Sequence, residues 1–155
     1  MLDITLLAVG KIKESYFQAA FLEYAKRLRP YVRLRIVELE AAPFSKGGRD
    51  KAKEVESGRI TEFLDKNAAK NQAAVYLLAE RGRTFTSPSF AAWLEKNQSL
   101  ILVVGGALGF SDALYRRYPQ LSLSPLTFPH ELARVVLLEQ LYRAAAIINN
   151  KDYHY

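Results

Sequence analysis

The sequence predicts a single α/β domain, with a mainly parallel sheet flanked by helices. Predicted strands alternate with predicted helices along the chain, and three of the strands are continuous apolar runs. Strands that are apolar on both faces are typical of parallel sheets covered on both sides. The length of 155 residues fits one domain, and we found no repeat, linker or low-complexity segment that would divide it.

The first half of the chain predicts two strands and two helices. Residues 3–9 are rich in aliphatic side chains, as in a buried strand, and residues 14–29 have the apolar spacing of an amphipathic helix. Residues 32–36 alternate apolar side chains with Arg33 and Arg35, which predicts a half-buried strand that runs to about residue 39. A second helix is predicted from about residue 51 to residue 67.

The second half predicts two further buried strands and three helices. The strands are residues 73–79, followed by a turn at residues 80–83, and residues 100–104. Ser87 is the predicted N-cap of the helix between them, with Pro88 at its first position. A short helix begins at Ser111-Asp112 and is followed by a short strand. A loop at residues 122–130 then leads into the final helix, which covers residues 129–148.

Composition excludes several classes of protein. The chain has no cysteine, so it has neither disulfides nor thiolate metal sites, and its two histidines lack the spacing of metal ligands. It has no signal peptide pattern and no apolar run long enough to span a bilayer, so we expect a cytoplasmic protein without a membrane partner. The net charge of +6 favours an anionic partner, most often nucleic acid.

Two loops in the last third could bind a ligand by their backbone. Gly105-Gly106 ends a buried strand, which is either a tight strand-to-helix turn or a place where a ligand approaches the backbone closely. The pattern matches neither a dinucleotide fingerprint nor a phosphate loop. Residues 122–130, SLSPLTFPH, contain two prolines and are therefore stiff. Without a nucleophile or carboxylate, this loop is better suited to holding a ligand than to acid–base chemistry.

The final helix and the tail hold the other candidates. The helix is apolar on more than one face, so we expect one of its sides to meet another subunit. Arg134 within it is either paired structurally or contacts RNA or a ligand. Tyr153 and His154 lie in the terminal KDYHY, which is either a frayed end or an aromatic segment that can stack on bases.

A basic stretch follows the second strand. It is either a solvated loop leading into a helix or a mobile anion clamp, and Gly47-Gly48 supply its mobility. Its cations are Lys46, Arg49, Lys51 and Lys53.

Several segments of the chain together resemble one family. They are LLAVGKIKESYF and EYAKRLRPY near the start, LVVGGALGFS, LSLSPLTFPHELARVVLLEQLYRAAAIINN and the terminal KDYHY. On these segments the chain resembles the RlmH family, ribosomal RNA large subunit methyltransferase H, of the SPOUT superfamily. The resemblance runs from end to end, and the block TFPHELARVVLLEQLYRA is its most specific part.

The resemblance implies a fold and an activity. The fold would be of SPOUT type with a deep C-terminal trefoil knot, a rare exception to unknotted topology. The chain would be a homodimer that uses S-adenosylmethionine to methylate N3 of a pseudouridine in helix 69 of 23S rRNA within the assembled ribosome. The alternative that the residues leave open is a non-catalytic RNA-binding ribosome-assembly factor. A nucleotide-binding hydrolase is disfavoured, since there is no phosphate loop and no set of metal-binding carboxylates.

The resemblance also implies site residues. His154, Tyr153 and Arg134 match positions associated with substrate and catalysis. The two residues after Gly-Gly are often polar or acidic in the family but are Ala107 and Leu108 here, so only backbone contacts are expected from them. The positions that match methyl-donor contacts are Leu78, Gly105, Leu123, Ser124, Pro125, Leu126, Thr127 and Phe128.

Overall fold

The computed structural model describes residues 1–44 and 47–154. Within these residues five strands alternate with five helices, as the sequence predicts. The strands are β1 (Leu2–Val9), β2 (Val32–Leu39), β3 (Ala74–Arg83), β4 (Ser99–Val104) and β5 (Gln120–Leu121). The helices are α1 (Ser15–Leu28), α2 (Gly48–Asn67), α3 (Ser87–Lys96), α4 (Asp112–Arg117) and α5 (His130–Ile148).

The strands form one sheet in the order β2-β1-β4-β3-β5, and every neighbouring pair is parallel. The prediction of an α/β fold with a mainly parallel sheet is therefore confirmed. β1 and β4 lie inside the sheet and are almost completely buried, as their continuous apolar sequences predict. Because all strands are parallel, their carboxyl ends meet at one edge of the sheet, where open α/β sheets bind ligands.

Helices cover both faces of the sheet. Alternate residues of β1 point to opposite faces, so that Ile4 and Leu6 belong to one apolar cluster and Leu7 to the other. The first cluster is completed by α1, α3 and α5, and the second by α2 and α4. None of the helices in residues 1–44 and 47–154 combines the length and the apolar character that crossing a membrane requires.

The predicted turn at residues 80–83 is wrong, because β3 continues through these residues to Arg83. The extension pairs with β5 across an irregularity in the register, and the backbone N–H of Ser122 donates to the carbonyl of Arg83 at 2.8 Å. A Cβ on Gly82 would lie 2.7 Å from backbone atoms of Gln120 and Leu121. Gly82 therefore permits a close approach of two strands here rather than a turn.

Two helix starts also differ from the prediction. The N-cap of α3 is Thr86, not Ser87, because the Thr86 Oγ1 accepts from the backbone N–H of Ser89 while the Ser89 side chain bonds back to Thr86. α2 begins at Gly48, three residues before the predicted start, so Arg49 lies in its first turn rather than in a loop.

Candidate functional site

A cavity of about 1010 Å³ lies at the carboxyl edge of the sheet. The end of β3 and the segment after β4 form one side of this cavity, and the segment between β5 and α5 forms the other. Its volume is at the top of the range of about 300–1,000 Å³ that is usual for ligand sites.

The cavity brings together most of the predicted donor-binding residues. The predicted residues that line it are Leu78, Gly105, Leu123, Ser124, Leu126, Thr127 and Phe128. Pro125 is not part of the lining, although both of its neighbours are. Leu126 is 72% exposed, so an apolar side chain stands at the mouth of the cavity with little protein packed around it.

The wall after β4 is built largely from backbone. A Cβ on Gly105 would lie 3.2 Å from the ring of Phe110, so a side chain has little room there. Gly109 has a φ of +74°, which glycine adopts without strain, and its N–H closes a turn onto the carbonyl of Gly106 at 3.1 Å. Ser111 caps α4, since its Oγ accepts from the backbone N–H of Leu114 at 3.3 Å.

The opposite wall is held by short-range hydrogen bonds. The Ser122 hydroxyl lies 3.0 Å from the carbonyl of Glu80 and 2.9 Å from that of Ser124, so it can donate to either. The backbone N–H of Leu126 donates to the Ser124 Oγ at 3.0 Å. These bonds and the prolines agree with the stiff loop that the sequence predicts.

Sequence reasoning missed several polar residues of the cavity. His130 at the start of α5 lines the cavity, although its spacing in the sequence predicts no metal site there. The residues missed outright share a position at the carboxyl edge of the sheet, and only the strand order brings them together. They are Glu80, Arg81, Asp112, Tyr115 and Gln120.

Arg134 does not line the cavity and is only 1% exposed. Its Nη1 donates to the Glu38 carboxylate at 2.7 Å. Its Nη2 donates to the carbonyls of Val9 and Gly10 at 2.9 and 2.7 Å. These contacts describe the structural pairing that the sequence left open, and a contact between Arg134 and RNA stays a prediction.

Tyr153 is held against α5. Its ring meets that of Tyr142 edge-on with centroids 4.7 Å apart, and the Arg143 guanidinium lies 4.9 Å from its centre. Its hydroxyl donates to the Glu139 carboxylate at 3.1 Å. Burial, and then hydrogen bonding to Tyr24 and Glu139, raises the pKa of Tyr153 above its ordinary value of 10. The hydroxyl therefore stays protonated at neutral pH.

His154 is exposed next to this anchored tyrosine. The cavity reaches α5 no further than Ala133, whereas Tyr153 packs beside Arg143. Ten residues of helix separate these two positions, which corresponds to about 15 Å. Tyr153 and His154 are accordingly not brought to the cavity of their own chain.

Three of the predicted clamp cations lie in the first two turns of α2. Arg49 and Lys51 are exposed and Lys53 is half-buried. Lys46 lies outside the described residues. α2 follows the carboxyl end of β2, so these charges are at the same edge of the sheet as the cavity. The described residues contain no group of three or more His, Asp or Glu side chains placed to hold a metal ion.

Comparison with known proteins identifies the family of this fold. Residues 2–154 match the family described as "Predicted SPOUT methyltransferase". The chain belongs to the SPOUT methyltransferase family. The family assignment confirms the resemblance seen in the sequence, whereas the knot that this family resemblance implies stays a prediction.

Relatives of nearly the same length belong to one group of SPOUT methyltransferases. The chain is 43% identical to "Ribosomal RNA large subunit methyltransferase H" of Pelobacter propionicus, with 98% of this chain and 99% of the relative covered. The proteins with this name from Clostridium acetobutylicum and Lactobacillus acidophilus are 40% and 39% identical, each with 99% of both chains covered.

A solved structure described as "Structural insights into the 2-OH methylation of C/U34 on tRNA" has a fold similar to that of this chain. Its TM-score is 0.55 at 15% identity, with 97% of this chain and 99% of that chain covered. This likeness supports the fold alone.

Proposed function

We propose that this protein uses S-adenosylmethionine to methylate N3 of a pseudouridine in helix 69 of 23S rRNA in the assembled ribosome. The observation that carries the proposal is the cavity at the carboxyl edge, which gathers Leu78, Gly105 and most of residues 123–128 in a member of the SPOUT methyltransferase family. The names of the relatives support rRNA as the substrate. A ribosomal substrate also implies a cytoplasmic enzyme.

The residues present fit this methyl donor. Apolar side chains such as Leu78, Leu123 and Phe128 suit a flat adenine ring, and the glycine backbone at Gly105 and Gly106 borders the cavity, where a ligand can approach it closely. The donor supplies a methyl group that its positive sulfonium already activates. The task of this chain is therefore to bind and orient the donor, to exclude water and to align the acceptor nitrogen with the methyl group.

The acceptor nitrogen must lose a proton, but a strong base is not required. The imide N–H of a uracil-type ring is a weak acid, so a modest base or water suffices. His154 is our candidate for accepting this proton or positioning the base, because it is exposed and its neighbour Tyr153 is fixed on α5. Arg49, Lys51 and Lys53 would contact rRNA phosphates.

The separation of tail and cavity supports a site shared between two chains. Tyr153 is held about 15 Å along α5 from the cavity of its own chain. In a homodimer, the tail of one subunit would instead complete the cavity of the other.

Calorimetry tests the donor. We expect S-adenosylmethionine to bind to the purified protein, and to bind less tightly to Gly105→Val, whose side chain would meet the Phe110 ring. Exposed Gly58, at which a Cβ would meet no atom within 4 Å, gives the control Gly58→Ala. Absence of binding by the folded wild-type protein would contradict methyl transfer and leave a non-catalytic RNA-binding factor as the explanation of the basic surface.

Methyl transfer to ribosomes tests the acceptor. We expect labelled methyl groups to enter 23S rRNA in 70S ribosomes that contain the helix 69 pseudouridine. Ribosomes from cells lacking the pseudouridine synthase for this site are the control. Equal labelling of both would exclude N3 of pseudouridine as the target.

Mixed dimers test the shared site. A Gly105→Val chain and a chain ending after Asp152 should each be inactive, and mixing them should restore activity in heterodimers that keep one intact cavity and one intact tail. A mixture that exchanges subunits but stays inactive would count against a site built from two chains.

A further inference from the structure

Two adjacent buried polar residues of α2 have no role in the function proposed above. Glu56 is 3% exposed and Ser57 is 4% exposed. α2 otherwise presents apolar residues such as Ile60 and Leu64 to the sheet. Buried carboxylates and hydroxyls are retained where they make specific hydrogen bonds, so the contacts of this pair indicate what it does.

Glu56 lies between two loops at the carboxyl edge of the sheet. Its Oε2 accepts from the backbone N–H of Ala42, in the segment that follows β2, at 3.0 Å. Its Oε1 faces Gly106, where a Cβ would lie 3.1 Å from this oxygen. Among the described residues Oε1 has no hydrogen-bond partner, although it is buried. The carboxylate thus joins the segment after β2 by a hydrogen bond and lies directly behind the Gly106 end of the cavity wall.

Ser57 supports the other end of the same wall. Its Oγ accepts from the backbone N–H of Ser111 at 2.9 Å, and Ser111 is the N-cap of α4. Ser57 therefore bonds to one end of residues 106–111, and Glu56 Oε1 lies next to the other end. Between these ends, Ala107, Gly109 and Phe110 line the cavity together with Gly106.

We propose that Glu56 and Ser57 are positioning residues for the methyl donor. They hold residues 106–111 in the shape of the cavity wall and join this wall to the segment after β2. Neither side chain lines the cavity, so both act through the backbone that they hold. This inference rests on the proposed function, because it assigns the donor to this cavity.

Glu56→Gln tests the carboxylate. Gln keeps the size of the side chain but places amide N–H groups against Ala42 or Gly106, where a carboxylate oxygen stood. We expect the Kd and the KM for S-adenosylmethionine to rise about tenfold, while kcat at saturating donor and the affinity for ribosomes change less than about twofold. Glu54→Gln, an exposed carboxylate on the same helix, is the matched control and should behave as wild type.

Two results of this experiment would overturn the proposal. One is a Kd for the donor that is the same in Glu56→Gln and Glu54→Gln. The other is a parallel loss of donor binding, ribosome binding and Tm in Glu56→Gln, because that pattern indicates a general folding defect and not a local effect on the wall.

Ser57→Ala provides a measurement that needs no donor. The Ser111 amide loses its acceptor in this variant, so its hydrogen exchange should be at least about tenfold faster than in wild type, with the amides of β4 unchanged. Unchanged exchange at Ser111 would show that Ser57 does not hold the wall. If the wild-type protein fails to bind the donor, the proposed function falls, and this exchange measurement still decides whether Ser57 holds its end of residues 106–111.

Discussion

Arg134 joins three elements through one buried side chain. From the first half of α5 it reaches Glu38 in β2 and the carbonyls of Val9, the last residue of β1, and of Gly10, the next residue. These carbonyls lie at the edge of the sheet where the cavity opens, and the charge of the guanidinium strengthens each bond. Arg134 therefore stabilises the edge on which the site is built, whatever else it contacts.

We expect Arg134→Met to lower the free energy of unfolding by about 3 kcal/mol. The variant removes three hydrogen bonds and leaves two carbonyls and a half-buried carboxylate without their donor. Denaturant unfolding at pH 7 measures this loss. The control is Arg35→Met, which removes an ion pair between Asp3 and a half-exposed arginine and should cost less than about 1 kcal/mol. Equal losses of unfolding free energy in the two variants would contradict a stabilising role of Arg134 at this edge of the sheet.

Glu131 makes the stability of the chain at the start of α1 depend on pH. Its Oε1 accepts from the backbone N–H groups of Glu14 and Lys13 at 3.1 and 2.8 Å. The bond from Glu14, and then that from Lys13, holds the pKa of Glu131 below its ordinary value of 4.5 against the opposing effect of burial. A lowered pKa in the folded state means that the ionised form adds stability above about pH 4.5.

We therefore expect Glu131→Gln to reduce stability at pH 7 and to have no such effect at low pH. Gln keeps an acceptor oxygen but loses the charge, so the difference from wild type should shrink as the pH falls below about 4.5. Unfolding free energies between pH 3 and pH 7 measure it, with Glu54→Gln as the control. A difference that is constant over this range would contradict the linkage.

At the scale of the elements, β3 and β5 show what local sequence patterns cannot predict. Apolar runs and helical spacing predicted the positions of β1, β4 and the longer helices, because each depends on neighbours in sequence. Residues 80–83 are polar and glycine-containing, so they resemble a turn. They form strand because β5, about forty residues later, pairs with them. Pairing partners so distant in sequence leave no local periodicity.

The candidate site, like the fold, could be predicted from the sequence only where neighbouring residues carry the signal. The resemblance to a family indicated most of the loop residues that line the cavity, and the backbone-lined character of the loops followed from Gly105 and the prolines. The contribution of Glu56 and Ser57 could not be predicted, since on α2 they are two ordinary polar residues. Only the packing of α2 against the segment after β4 gives them partners.

Two glycines, Gly82 in β3 and Gly58 in α2, provide a matched test of how closely the chain packs around each of them. Gly82→Ala should destabilise the protein by about 2 kcal/mol, because its Cβ would stand 2.7 Å from the backbone of β5 and the strands must move apart. Gly58→Ala should stabilise it by about 0.5–1 kcal/mol, because Gly58 is inside α2 and has open space around it. Denaturant unfolding of both variants measures the effects. Effects of the same sign would contradict the close strand approach at Gly82.

At the scale of the whole molecule, part of the positive charge lies at the edge of the sheet that holds the cavity. The chain carries a net charge of +6, and Arg49, Lys51 and Lys53 place part of it at the edge that holds the cavity. If these cations contact phosphates, binding to ribosomes must weaken as salt displaces them.

We expect the triple substitution of Arg49, Lys51 and Lys53 by Gln to lower ribosome affinity. It should also make the slope of log affinity against log salt shallower by about 2, because about 0.7 of a counterion is released per phosphate contact with a single strand. Filter binding at 50–300 mM salt measures the slope.

The matched control removes three charges from the opposite edge of the sheet. Lys66, Lys70 and Lys96 are exposed residues near the amino ends of β3 and β4, and their replacement by Gln should leave the slope nearly unchanged. Equal changes in the two triple variants would indicate an effect of net charge alone and would contradict a defined RNA-facing edge.

The position of β1 inside the sheet has a consequence for synthesis of the protein. β1 begins at Leu2 and its partner β4 begins at Ser99, so translation at about 5–20 residues per second separates the two strands by about 5–20 s. During this interval β2 can pair with one edge of β1, and α1 and α2 can cover part of its two faces, while its other edge has no partner until β4 is made. The nascent chain thus exposes an unpaired edge of a strongly apolar strand until β4 is made, which is the kind of edge at which strands of different chains can associate.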